Sequence, residues 1–226
     1  MAKVSVIIAA AGAGRRFGGD RNKIFELIGD RAVFLRSVDL FAQRNDVLEI
    51  LLVASRIDRD RIEADFAGQL RRLNVSLITG GDTRSQSVRN ALAAVSEKAS
   101  LVCVHDAVRP AATPQSIDAV FAAAERSGAA ILASPVSGAV KRASPELTIL
   151  DDLDRSNLWL AQTPQVFATD ILLRAYDLGH DADDDAELVR ATGRLVTIVP
   201  GDPRNIKITT ADDLNILRAI LAPQKQ

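Results

Sequence analysis

The amino-acid sequence predicts a three-layer α/β fold with a mostly parallel sheet. Two observations carry that expectation: short β-branched runs that are apolar on both faces, and helix-length amphipathic stretches between them. The strand runs are residues 4–9, 49–54, 75–79, 101–105, 129–133 and 195–199. Strands apolar on both sides require helices on both faces of the sheet. The helical stretches are 32–43, 59–71, 83–95, 114–126, 183–191 and 211–221. Their ends carry local signals: Asp82-Thr83 opens a helix, Pro114 occupies a first turn after Thr113, and Gly128 and Gly193 stop helices.

Composition bounds the function. A chain of 226 residues, 47% hydrophobic and 25% charged, suits one globular domain spanning 1–226. A net charge of −1 supplies no basic field for nucleic acid or an anionic membrane. Anions must therefore be met by local groups of Lys and Arg. Cys103 is the only cysteine, which excludes an internal disulfide and a cysteine-built metal cage and suits a cytoplasmic protein. No apolar run reaches the roughly 20 residues of a membrane span.

Residues 135–154, PVSGAVKRASPELTILDDLD, break the alternation. Two short alternating strands flank a Ser-Pro-Glu turn, with too few large apolar groups for a core. The segment reads as a protruding β-arm, either a decoration or an arm completed by a second subunit.

The loop after the first strand, AAAGAGRRFGGDRNK (9–23), puts small residues where backbone N–H groups can approach a ligand. It is not a dinucleotide fingerprint. Gly12 and Gly14 fit G-x-G, but Phe17 stands where the third glycine belongs, and no Gly-Lys-Ser/Thr follows for a Walker loop. Arg15, Arg16, Arg21 and Lys23 against the single acid Asp20 suit a triphosphate.

With the small-residue run of Ala10, Ala11, Gly12 and Gly14 leading to Arg16 and Lys23, the chain resembles the nucleotidyltransferases that activate sugars and sugar alcohols. Within them it resembles the 2-C-methyl-D-erythritol 4-phosphate cytidylyltransferase family. The likeness continues, in the family's order, through GGDTRSQSV (80–88), HDAVRP (105–110), PVSGAVKR (135–142), DRSNLWLAQTPQVF (154–167) and NIKIT (205–209). It implies a Rossmann-like nucleotidyltransferase fold, and transfer of CMP from CTP to a polyol phosphate with release of pyrophosphate. It also implies a homodimer joined through the arm, and Mg²⁺ bound mainly through the CTP phosphates.

The resemblance distributes the roles. Arg16 and Lys23 flank the α-phosphate as the catalytic cations. Ala10, Ala11, Gly12 and Gly14 cradle the nucleotide, and Gly81, Asp82 and Ser87 read cytosine. Asp106 faces the phosphates, the metal or the ribose, while Arg109, Arg155, Thr163 and Lys207 position the acceptor. Read without the likeness, Asp82 is a plain helix cap and Arg155 and Lys207 are solvent-facing cations. His105 reads as a packing histidine, and the acidic run 181–187 as a loop leading to a helix N-terminus rather than a metal site.

A phosphate monoester, with a second pKa of about 6, is already largely dianionic at neutral pH and needs no general base. Two histidines and no nucleophile–base pair agree with a site that works by positioning and charge neutralisation. One departure bears on the acceptor. Where the family's arm presents Asp-Thr before its lysine, this chain has Gly138 and Ala139 before Val140 and Lys141. A lost hydrogen bond to a charged ligand costs roughly 1.5–3 kcal/mol. The alternatives are a cytidylyltransferase for another polyol phosphate, such as ribitol 5-phosphate, and a non-catalytic nucleotide-binding scaffold.

Overall fold

A computed structural model of the chain describes residues 2–12, 17 and 22–222. In chain order the elements are β1 (Val4–Ala9), β2 (Leu27–Ile28), β3 (Arg31–Ala32), α1 (Val33–Ala42), β4 (Val47–Ala54), α2 (Arg56–Arg72) and β5 (Val75–Thr79). There follow α3 (Arg84–Leu92), β6 (Leu101–Asp106), α4 (Pro114–Ser127), β7 (Ala129–Pro135), β8 (Val140–Ala143), β9 (Ile149–Leu153) and β10 (Trp159–Ala168). The chain closes with α5 (Thr169–Asp177), α6 (Asp185–Ala191), β11 (Thr197–Pro200) and α7 (Ala211–Ile220).

Seven strands form one sheet in the order β11-β7-β10-β6-β1-β4-β5. All neighbouring pairs are parallel except those of β10, which runs antiparallel to both β6 and β7. Alternate residues of the central strands feed opposite faces. Val6, Ile8, Ile50, Leu52 and Cys103 pack with Phe34, Ile62, Ile117 and Leu217 of α1, α2, α4 and α7. Ile7, Leu51, Val53, Val102 and Val104 pack with Val88, Leu172 and Leu188 of α3, α5 and α6. The predicted three layers and mostly parallel sheet are present. From β1 the chain passes to β4 and β5 on one side and then to β6 on the other, so the crevice between β1 and β6 is the switch point of the sheet.

Four elements escaped the sequence reading: the short strands β2 and β3, and β10 and α5. The TPQ segment is not a turn but the middle of β10, and α5 follows it directly. Proline in a central strand removes a ladder donor. Here Pro164 falls in the register shift between Ala161 and Gln165, where the ladder with β7 is interrupted. Helix α5 shows a clear stripe, with Ile171, Leu172, Ala175 and Tyr176 buried. The helix predicted at 83–95 begins at Arg84, and its cap is Thr83, whose hydroxyl accepts from Gln86 N; Asp82 is exposed.

The arm is a hairpin separate from the main sheet. Strands β8 and β9 pair antiparallel, and Leu147 turns the tip at φ 63°. Lys141 pairs with Asp152, and Arg142 lies 3.7 Å from Asp151. Leu147, Ile149 and Leu150 are exposed, as are Leu158, Trp159 and Leu160 where the chain re-enters the main sheet.

Phe34 is fully buried and meets Phe66 edge-on at 5.1 Å and Phe25 at 6.0 Å. Phe34→Ala is expected to cost about 3–5 kcal/mol in urea unfolding. Leu195, 89% exposed, should tolerate Leu195→Ser within about 0.5 kcal/mol.

Candidate active site

The parallel strands β1, β4, β5 and β6 end at Ala9, Ala54, Thr79 and Asp106, and Ala10, Ala11, Gly12, Gly81 and Asp82 follow directly on those ends. Ala10 N bonds to Val53 O at 2.8 Å, and Gly80 N to Ala54 O at 2.8 Å. These bonds draw the loop after β1 against the turn after β5. Contact is so close that a Cβ on Gly80 would lie 2.6 Å from Ala11 Cβ and 2.9 Å from Ser87 Oγ, so only glycine fits there. Across the mouth of the first loop, Asn22 Nδ2 donates to Gly12 O at 3.1 Å and to Asp58 at 2.8 Å, and the Asn22 side chain caps the short turn that carries Lys23. Lys23 is near enough to Asp213 to help lower its carboxyl pKa, although burial opposes the shift most strongly and backbone bonds from Thr210 and Thr209 do more to lower it. Gly14 and Arg16 lie outside the described residues.

Ser87 is 2% exposed, and its hydroxyl belongs to the turn itself. It accepts from Gly81 N at 3.1 Å and lies 2.8 Å from Thr83 O. The side chain thus sets the direction of the Gly81 backbone, while Asp82 stands exposed beside it.

A second group surrounds a cavity of about 180 Å³ lined by Asp106, Arg109, Thr163 and Lys207, four of the predicted positions. Asp106 ends β6 and is 5% exposed. Its Oδ2 meets Arg109 Nε at 3.1 Å and Lys207 Nζ at 3.0 Å. Burial alone would raise its carboxyl pKa, but Lys207, Arg109 and Arg84 outweigh burial and hold it well below the usual carboxylate range. Arg109 also donates to Asn205 O at 2.8 Å. Asn205, 1% exposed, donates in turn to Thr163 O at 2.9 Å. Thr163 Oγ1 accepts from Asp106 N at 3.0 Å. Two cations, a hydroxyl and a carboxylate from three distant segments are thereby locked in one frame.

Several cavity residues were not foreseen. Arg84, Gln162, Gln165, Asp183 and Asp184 also line it. Arg84 had the look of a surface cation in a first helical turn, yet its Nη2 lies 2.6 Å from the fully buried Asp185. Tyr176 donates to the same carboxylate at 2.5 Å; burial first and Asp185 second push its phenol pKa up, which keeps that donor hydrogen in place. Thr83 Oγ1 bonds to Asp181 at 3.0 Å. The turn after β5 is thus tied to residues 181–185. Asp184 caps α6 and accepts from Gln165 Nε2 at 3.0 Å. Three polar residues within four positions, Gln162, Thr163 and Gln165, were the available signal. Arg155 is not brought to this cavity: it sits at the root of the arm, where it donates to the carbonyls of Val136 and Ser137. Among the described residues no three His, Cys, Asp or Glu side chains form a metal-binding group.

A cramped glycine turn beside a small-residue loop, with a cationic cavity at the end of β6, is the layout of an α/β protein that handles a nucleotide and a second anion. A family model described as 2-C-methyl-D-erythritol 4-phosphate cytidylyltransferase matches residues 4–223, and the chain belongs to that family. It is 42% identical over 233 residues to a protein of Rhodopirellula baltica bearing that name, covering 97% of this chain and 95% of the relative. The crystal structure of 2-C-methyl-D-erythritol 4-phosphate cytidylyltransferase from Thermus thermophilus superposes with a TM-score of 0.80 at 32% identity, covering 96% and 98% of the two chains. That of 4-diphosphocytidyl-2C-methyl-D-erythritol synthase from Anaerococcus prevotii gives 0.83 at 28%, covering 98% and 99%.

His105 was read as a packing histidine, and it is fully buried, with its ring 5.3 Å from that of Phe41. Burial lowers its pKa from 6.5 to about 4, against a smaller opposing pull from Asp106. Between those values the unfolded chain binds a proton that the native chain refuses. The His105 contribution to stability is therefore full above about pH 6.5 and is lost as pH falls toward about 4. The slope is about 1.4 kcal/mol per pH unit. Urea unfolding across this window should show that slope in the native chain minus His105→Gln, whereas Asp106 contributes only below about pH 4.

Proposed function

We propose that this protein transfers CMP from CTP to 2-C-methyl-D-erythritol 4-phosphate, giving 4-diphosphocytidyl-2-C-methyl-D-erythritol and pyrophosphate in isoprenoid precursor biosynthesis. The observation that carries the reading is the cavity at the end of β6. Arg109 and Lys207 suit a phosphate monoester, and Thr163, Asp183 and Asp184 suit the hydroxyls of a polyol. It adjoins, through Arg84, the turn whose Gly81 and Asp82 are suited to a pyrimidine edge, with Ser87 holding the Gly81 backbone in place.

The chemistry follows from charge. A monoester oxygen attacks the α-phosphorus of CTP, the new P–O bond forms, and the α–β anhydride bond breaks to release pyrophosphate. Arg109 and Lys207 would hold the attacking dianion, and Arg16 and Lys23 would stabilise the charge at the α-phosphate, with Ala10, Ala11, Gly12 and Gly14 against the triphosphate. Asp106 would act chiefly by aiming Arg109 and Lys207, since its Oδ2 already serves both. Mg²⁺ fits as an ion that arrives on the triphosphate, where it would draw charge toward the leaving group. A cytoplasmic setting suits the lone, buried Cys103. No helix among the described residues is long and apolar enough to cross a membrane.

Pyrophosphate release with CTP, Mg²⁺ and each acceptor tests the reaction. Turnover is expected with 2-C-methyl-D-erythritol 4-phosphate and far less with ribitol 5-phosphate, and ATP, GTP or UTP should not replace CTP. Equal turnover with all four nucleotides would sink the cytosine reading.

A homodimer through the arm completes the proposal. Its support is the six exposed large apolar residues between 147 and 160, and the placement of Arg155 at the arm's root instead of in its own cavity. Lys23→Ala would then damage a chain's own site and Arg155→Ala the site across the interface. Mixing the two inactive variants with subunit exchange should restore about a quarter of native activity, because half the dimers are mixed and each keeps one intact site. Verified heterodimers with no recovery would rule out a shared site.

A further inference from the structure

His105 takes no part in the chemistry above, yet it governs what Thr163 offers to a ligand. The ring lies between Arg109 and Thr163. Its Nε2 is 3.1 Å from Arg109 O. A carbonyl oxygen only accepts, so Nε2 carries a hydrogen. Full burial keeps the ring neutral at physiological pH, which leaves Nδ1 as a bare lone pair. Nδ1 lies 3.0 Å from Thr163 Oγ1. The only hydrogen available for that contact is the one on the Thr163 hydroxyl. The same oxygen accepts from Asp106 N at 3.0 Å. A hydroxyl has one hydrogen and two lone pairs, so a single lone pair is left for the cavity that Thr163 lines.

We infer that His105 is a positioning residue that fixes the polarity of Thr163, so that Thr163 accepts a hydrogen bond from a carbinol of the acceptor and never donates one to its phosphate. The inference rests on the proposed reaction. It gives the cavity a direction. Arg109 and Lys207 have only donors and favour the phosphate, which has only acceptors. Thr163 is left as an acceptor and repels a phosphate oxygen, but it satisfies an O–H. A polyol phosphate entering backwards meets a lone pair with its own. The acceptor is thus oriented by hydrogen-bond sign as well as by shape.

Fluorine tests the sign, because a C–F group cannot donate. Steady-state rates are compared for the parent acceptor and its monofluoro and monodeoxy analogues at each carbinol carbon. At one carbon, fluoro and deoxy analogues should fall together in kcat/KM by about tenfold or more. The loss should appear in the acceptor KM, with kcat and the CTP KM held, because the contact lies away from the reacting phosphate. In Thr163→Val the parent should drop to the level of that fluoro analogue, and Thr163→Ser should restore the difference. A second readout needs no turnover. In a His180→Gln background the remaining imidazole should show, by nitrogen NMR, a protonated Nε2 and a bare Nδ1.

A fluoro analogue as good as the parent at every carbon, or a protonated Nδ1, would overturn the inference. No turnover with any acceptor would sink the proposed reaction instead, and the nitrogen spectrum would still decide the polarity of Thr163. Should Thr163→Val fail to fold, Thr163→Ser and the spectrum carry the test.

Discussion

A carboxylate drawn out of water at the end of β6 must be met by cations, and the active-site frame follows from that demand. Asp106 is 5% exposed, and an unpaired charge at that depth would cost several kcal/mol. Arg109 answers from the loop that follows, Lys207 from a segment a hundred residues downstream, and Arg84 adds its field from the turn after β5. Two of these cations are pinned by other bonds as well: Arg109 to Asn205 O, Arg84 to Asp185. One buried negative charge thereby converts three flexible side chains into a fixed positive surface. Such a surface is what two anionic substrates require, since a site that must reorganise around them loses part of its electrostatic advantage.

The same logic reaches the nucleotide side. Thr83, Arg84 and Ser85 each bond into residues 181–185: Thr83 to Asp181, Arg84 to Asp185, and Ser85 through Ala182 N at 3.4 Å. The turn after β5 and the wall of the cavity at the end of β6 are therefore one hydrogen-bonded body. Gly80 adds steric insistence, because Ala11 leaves no room for a side chain there.

Much of this was legible in the sequence, and the remainder was hidden for identifiable reasons. β1 and β5 are read to the residue because each is a short run dominated by β-branched residues, a pattern that favours a strand over a surface helix. Asp106 and Arg109 stood out because strand ends in open α/β sheets are where ligands bind. β10 did not, because Pro164 and the polar residues Gln162, Thr163 and Gln165 argue for a turn unless one knows that a register shift lies there. Arg84 was lost for the opposite reason: nothing in a first-turn arginine reveals a buried acid a hundred positions away. His105 reads as a packing residue, and it is one, but its hydrogen bonds to Thr163 and Arg109 depend on contacts that no local pattern encodes.

The arm leaves the sheet at Pro135 and returns at Trp159, and these two residues face each other in the β7–β10 pairing. A segment that departs and re-enters at adjacent points is topologically closed: it can lengthen, shorten or be exchanged without disturbing a single strand of the sheet. Gly138 and Ala139 lie within that closed insert, whereas Arg109, Thr163 and Lys207 belong to the scaffold. Divergence in the arm is therefore mechanically cheap for this chain. The hairpin can change over evolutionary time while the strands that carry Asp106 and Thr163 stay as they are.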